Sequence, residues 1–384
     1  MMIKLIKGAD LYSPRHIGPC DILICSDKIA KIAPRITVEG LDVEITDGRG
    51  LIAVPGFIDT HVHVTGGGGE QGPSSRVPEA NISQLLRCGV TTCVGLLGTD
   101  GVTRSLANLL AKCRALNEEG MTCLMLTGSY RYPSATLTGD VVTDICYINE
   151  CIGAKLAISD HRSSNITRDE FLRLATEVRS GGLLSGKAGL LHMHTGSGDG
   201  MLEHIFYALD NSDIPVKTFY PTHLGRSKAL MEQAAEFAKR GGTIDFTAND
   251  PLKNSRPACG NIAYCIGAGA PASNITLSSD SFGSLPRFDA EGNCTGLTFV
   301  LPDVLLKTVK GCIETEGMSL ETALSFVTAN PAKVLGLSGI KGTVTENADA
   351  DIILLTGSLD IHTVFAKGKT AVRNGEPIIK GRFE

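Results

Sequence analysis

His61 and His63 stand two residues apart at the end of the apolar run Gly56-Phe57-Ile58-Asp59-Thr60-His61-Val62-His63. On an extended strand side chains alternate faces, so both imidazoles point the same way and can serve one divalent cation. An isolated pair of this kind is more often incidental. Here further ligand types close later apolar runs: His192 and His194 in His-Met-His, His223 after Pro221-Thr222, and Asp280 after Ser278-Ser279. Lys155 lies inside another such run, Ala154-Lys155-Leu156-Ala157-Ile158-Ser159-Asp160. Histidines and a carboxylate gathered at strand ends suit metal-assisted hydrolysis, in which cations acidify a water and polarise a carbonyl. A buried lysine does not easily stay an ammonium beside cations. Its neutral amine can take up carbon dioxide, and the resulting carbamate could bridge two metals as a carboxylate does.

The elements that must carry these residues alternate along the middle of the chain. Apolar runs at 57–63, 91–98, 123–130, 154–160, 190–196, 219–225, 243–249 and 275–280 read as strands. Between them, Thr167–Arg179 and Ser227–Arg240 carry apolar residues at helical spacing, with Thr or Ser at the start and Gly181-Gly182 or Gly241-Gly242 at the stop. Eight strand-helix units with polar residues at the carboxyl ends of the strands predict a (β/α)8 TIM-like barrel, and an open doubly wound sheet is the alternative. The run Gly66 to Gly69 is followed by no Lys-Ser/Thr and opens no helix, so it is no phosphate loop. It reads as a flexible loop over the site, ending in Glu70.

The two chain ends look different from the middle. Residues 1–54 and 342–384 hold short strand signals separated by turns, and each is too small to bury a core alone. They are expected to pair into one small β-sandwich domain beside a barrel domain of 55–341.

With 384 residues, 42% hydrophobic and 20% charged, the chain has room for a large core. A net charge of -5 offers no basic field for nucleic acid, which leaves small molecules as partners. No signal-like start and no membrane-length apolar stretch is seen, so a cytoplasmic protein without membrane association is expected. The 12 cysteines scatter among apolar residues with no C-x2-C pair, and are expected to be reduced and buried, with no part in metal binding.

Taken together, the chain resembles the amidohydrolase superfamily and, within it, the isoaspartyl (β-aspartyl) dipeptidases. The resemblance runs nearly end to end. It is carried by Pro55-Gly56-Phe57-Ile58-Asp59-Thr60-His61-Val62-His63, Gly66 to Glu70, Leu96-Leu97-Gly98-Thr99-Asp100, Leu126-Thr127-Gly128-Ser129-Tyr130, Lys155 with Ile158-Ser159-Asp160-His161-Arg162, Pro221-Thr222-His223 and Leu277-Ser278-Ser279-Asp280. It implies two zinc ions per subunit: His61, His63 and Asp280 on one, His194 and His223 on the other, with carboxylated Lys155 and a hydroxide bridging them. It implies further that Asp280 moves the proton and that Tyr130 sits over the scissile carbonyl. Glu70, Arg162, Arg226 and Ser284 would hold the charged ends of an isoaspartyl dipeptide, and the protein would be a homo-oligomer, an octamer. Where the family needs one ligand, this chain offers His192 and His194. Ungapped spacing to Lys155 and His223 favours His194. The rival activity is cyclic-amide hydrolysis of the dihydroorotase or hydantoinase type, which needs no ammonium acceptor such as Glu70. A noncatalytic scaffold is the rival from another class, against which stand six filled ligand positions.

Overall fold

The computed structural model describes residues 3–252, 257–288 and 294–384. The chain ends join in one nine-stranded sheet. Its order is Glu376–Pro377, Lys369–Arg373, Ile361–Ala366, Ile352–Leu355, Ile52–Pro55, Ile3–Tyr12, His16–Cys25 and Lys28–Ala33, with Glu44–Asp47 also paired to Ile3–Tyr12. The ends meet where Ile52–Pro55 runs antiparallel to Ile352–Leu355, with Val54 opposite Ile353. Ile6, Leu11, Ile22, Ile24, Ile352, Leu354 and Phe365 give this sheet a core of its own. The chain is fastened as it returns to the sheet by Lys341, whose Nζ lies 2.5 Å from Asp351 Oδ2 and 2.8 Å from Asp349 Oδ2.

The middle of the chain supplies eight strands: β1 (Phe57–Val62), β2 (Val90–Gly95), β3 (Thr122–Gly128), β4 (Cys151–Ile158), β5 (Leu190–Thr195), β6 (Phe219–Thr222), β7 (Ile244–Thr247) and β8 (Ile275–Ser278). β1 to β6 form a parallel sheet in chain order, and β7 pairs in parallel with β8. Two contacts draw these pieces round on themselves: Leu224 N donates to Asp245 O at 3.4 Å, and His63 N donates to Ser281 O at 3.0 Å. Every residue of β1, β2, β4 and β5 is buried, the pattern of parallel strands covered on both faces, which is why they read as unbroken apolar runs.

All eight strands expected from the sequence are present, and each closes one to three residues early. The early exits have a physical cause at the site: Ser159, His223 and Asp280 take left-handed φ values of 52°, 64° and 52°, which leave the ladder. His61, Lys155 and His194 therefore stand within strands, whereas His63, Tyr130, His223 and Asp280 stand on the turns that follow.

The helices match expectation at their starts. Thr167 caps Arg168–Ser185 in a capping box with Glu170, and the Ser227 side chain accepts from Leu230 N ahead of Lys228–Lys239. The expected stop at Gly181-Gly182 is corrected: the helix runs through both and ends at Gly186, φ 69°. A Cβ on Gly182 would come within 2.6 Å of Gly189 Cα, so that glycine provides close packing inside the helix. After β8 a hairpin of Leu285–Phe288 and Cys294–Thr298 follows, with Leu285 opposite Thr298. Eleven cysteines are described with their side chains, all as free thiols, nine of them buried. Among the described residues no helix is long and apolar enough to cross a membrane.

Candidate active site

A cavity of about 590 Å³ opens at the carboxyl ends of the strands, walled by His63, Tyr130, Asp160, Arg162, His194, Arg226, Asp280, Glu70 and Ser284 among others. That volume suits a small molecule. Beneath it the ligand candidates converge. His63 Nε2 lies 3.1 Å and His61 Nε2 3.4 Å from Asp280 Oδ1, and one donor atom from each of the three residues falls within 4.8 Å of the others. The His223 ring stands 5.0 Å from that of His61 and 4.6 Å from that of His194. The histidine pair on β5 separates by depth. His192 Nε2 meets His61 Nδ1 at 2.9 Å with its ring against Tyr220, while His194 reaches the cavity wall.

The electrostatics favour cation binding. Burial, then the nearby Lys155 charge, pushes His61 well below the usual imidazole range. Burial does the same for His192 and His223, and lowers His194 to about 3. These rings are neutral at pH 7, the form that can ligate a metal, and His61 Nε2 has no hydrogen-bond partner among the described residues, whereas both His194 nitrogens are engaged, by Tyr130 and Asp160. Lys155 is fully buried with no hydrogen-bond partner for Nζ among the described residues, and burial pulls it down to about 7 against the pull of Asp280 and Asp245. Half or more of such amines are uncharged above that pH, the form that reacts with carbon dioxide. His61 Nε2 and His63 Nδ1 are likewise buried and without a hydrogen-bond partner. Orphaned polar atoms of this kind are rare in folded proteins unless something else satisfies them. The orphaned His61 Nε2, beside His63 Nε2 and Asp280 Oδ1, fits a site for a divalent cation, and the orphaned Lys155 Nζ is buried close to His61 and Asp280.

Charged groups of both signs rim the cavity. Arg162 is held by Asp160, Nε to Oδ1 at 2.8 Å and Nη2 to Oδ2 at 2.9 Å. Asp160 Oδ2 also lies 2.8 Å from His194 Nε2. Burial opposes ionisation of Asp160, but hydrogen bonds from Arg162 and His194 hold it well below the carboxylate range. Glu70 Oε1 lies 3.6 Å from Arg162 Nη1, and Ser284 Oγ donates to Glu70 Oε2 at 3.0 Å. Tyr130 Oη is 2.5 Å from His194 Nδ1, and burial with the Asp280 charge raises its pKa, so it remains a donor.

The loop carrying Glu70 departs from expectation. Residues 64–68 are buried, and Gly67 N donates to Phe282 O at 2.8 Å while Val77 N donates to Gly67 O at 2.9 Å. A Cβ on Gly66 would fall 2.0 Å from Val77 O, so glycine is required by close backbone approach. The run is a braced turn rather than a flexible cover. Asp160 and Arg104 are among the wall residues that sequence reasoning gave no role. Asp160 was visible within the Ser-Asp-His-Arg stretch, and Arg104 had no local signal.

Side chains from six strand ends around one buried lysine define a hydrolase whose chemistry sits where parallel strands end. Comparison with known proteins agrees. The amidohydrolase family model matches residues 252–371. The structure superposes on the β-aspartyl dipeptidase of the thermophilic keratin-degrading Fervidobacterium islandicum AW-1 in complex with β-Asp-Leu, with TM-score 0.91, 43% identity and 98% of both chains covered. A second structure of that enzyme gives TM-score 0.90 and 41% identity, again over 98% of both chains. A dihydroorotase of Staphylococcus epidermidis is 31% identical over 90 residues, which is 23% of this chain and 20% of that protein, so the chain spans about a fifth of its length. The chain belongs to the amidohydrolase family and, within it, stands with the β-aspartyl dipeptidases.

Proposed function

We propose that the protein is a binuclear zinc hydrolase that cleaves the β-aspartyl peptide bond of small isoaspartyl dipeptides. The observation that carries this reading is the fully buried, unpartnered Lys155 Nζ close to His61, His194, His223 and Asp280, beneath a rim of Glu70, Arg162 and Arg226. The similarity to the Fervidobacterium enzyme supports it. His61, His63 and Asp280 would hold one zinc and His194 and His223 the other, with carboxylated Lys155 between them. When bound, the two cations supply an acidified water near neutral pH and a Lewis acid for the scissile carbonyl. The Asp280 carboxylate accepts the proton of the attacking water and returns it to the leaving amine. Tyr130 Oη donates to the oxyanion as it forms, a contact whose loss costs about 3 to 4 kcal/mol. Glu70 receives the α-ammonium of the substrate, while Arg162, Arg226 and Ser284 hold its carboxylates.

The same reading takes residues 55–341 as a closed (β/α)8 barrel, residues 1–54 and 342–384 as the accompanying sandwich, and the protein as a homo-oligomer. Cyclic-amide hydrolysis is the second reading, favoured by the short dihydroorotase matches. Such a substrate has no free ammonium for Glu70. Removal of metal with a chelator should abolish β-Asp-Leu hydrolysis, and two equivalents of zinc should restore it. Full activity in the metal-free protein would contradict the proposal.

A further inference from the structure

Arg104 follows β2 and has no part in the reading above. Its side chain is buried, 5% exposed, although it also reaches the cavity wall. Its hydrogen bonds all go to backbone carbonyls: Nη1 donates to Thr65 O, and Nη2 donates to Gly67 O at 2.9 Å and to Val77 O at 2.7 Å. These carbonyls come from both arms of the loop after β1, arms that pair through Gly68 and Arg76. A buried charge needs compensating hydrogen bonds. The planar fork of a guanidinium can gather several converging carbonyls, which a lysine ammonium on its flexible stem cannot do in the same geometry. Glu70 lies three residues beyond one of the clamped carbonyls, so the clamp fixes where its carboxylate stands relative to Arg162 and Ser284.

We infer that Arg104 is a positioning residue for substrate recognition: by locking the two arms together it places Glu70 to meet the α-ammonium of a β-aspartyl dipeptide. The inference rests on the role proposed above for Glu70. Arg104 acts through Glu70, and the two residues form one energetic unit.

A double-mutant cycle tests this. Arg104→Lys and Glu70→Gln, singly and together, are assayed on β-Asp-Leu and on its N-acetyl derivative, with zinc content measured throughout. Arg104→Lys should lower kcat/KM for β-Asp-Leu by about 100-fold, chiefly through KM, as expected for a displaced binding group. Zinc content should not change, and the double variant should lie within about threefold of the worse single one, as coupled residues require. Losses that multiply would overturn the inference, as would an equal loss on the N-acetyl substrate, which would mean that Arg104 itself binds a substrate carboxylate. Hydrogen exchange provides an arm independent of turnover. The Gly67, Gly69 and Val77 amides should exchange faster in Arg104→Lys than in the wild type, and unchanged exchange would also overturn the clamp. If the wild type does not cleave β-Asp-Leu, the functional reading fails while the exchange arm still decides on Arg104. If Arg104→Lys does not fold, Arg104→Gln takes its place in both arms.

Discussion

His192 and His194 share a face of β5 and differ by one step of depth, which gives them different work. His194 wall contacts with Tyr130 and Asp160 put it at the cavity, whereas His192 is bonded to His61 from below. His194→Asn should lower metal content and turnover together. His192→Asn should retain metal and lose stability, by about 1 to 3 kcal/mol for a buried partner left unsatisfied. Metal analysis and denaturant unfolding of both variants check this, and the reverse pattern would make His192 the ligand. Glu70 gives the second prediction at this scale. Loss of a charge-assisted contact to an ammonium costs about 1.5 to 3 kcal/mol, or roughly 10- to 150-fold in kcat/KM. Glu70→Gln should show that loss on free β-aspartyl dipeptides with zinc unchanged, and little further loss on an N-acetylated substrate. The ligand candidates were legible in the sequence because His, Lys and Asp are unusual inside apolar runs. Asp160 was visible in its motif beside Arg162, but its bond to His194 was not, and Arg104 left no signal at all because its partners are loop carbonyls far away along the chain.

At the scale of elements, the join between the middle of the chain and the terminal sheet depends on Lys341 between Asp349 and Asp351, with Lys28 on the outer side of Asp349 at 2.6 Å. Burial favours neutral forms here, yet the carboxylates raise Lys341 above 10.5, and Lys341 with Lys28 holds Asp349 below 3.8. The Asp349 contribution is complete above its unfolded pKa and is lost as pH falls through the lower folded value. The Lys341 contribution is complete below its unfolded pKa and is lost as pH rises through the higher folded value. Stability from this cluster should therefore be flat between those limits and fall on both sides. Lys341→Met leaves Asp351 without its ammonium partner and Asp349 with Lys28 alone, and should cost about 3 to 5 kcal/mol near neutral pH. Its deficit relative to wild type should shrink in acid, and urea unfolding at pH 7 and pH 3 measures it. A pH-independent deficit would remove the ion cluster from the account. Helix caps at Thr167 and Ser227 were readable because capping is local chemistry. The roles of Gly182 and the Gly66 turn were not, since a missing Cβ has meaning only against the backbone it approaches.

For the whole molecule, eight buried strands were legible because parallel strands covered on both faces read as apolar runs. The meeting of the two chain ends was legible because neither could bury a core alone, and Ile52–Pro55 against Ile352–Leu355 is where they meet. The order of the nine strands was not legible, since pairing between residues 300 apart leaves no periodic trace. Charges of both signs rim a cavity above a buried lysine and neighbouring histidines, and on the proposed reading a substrate carrying an ammonium and carboxylates would use all of it. The most direct measurement is turnover of β-Asp-Leu, α-Asp-Leu, dihydroorotate and a hydantoin by the zinc-loaded protein, side by side. The account predicts that β-Asp-Leu is hydrolysed with the highest kcat/KM of the four. Preferred turnover of dihydroorotate or the hydantoin, with β-Asp-Leu left intact, would contradict it.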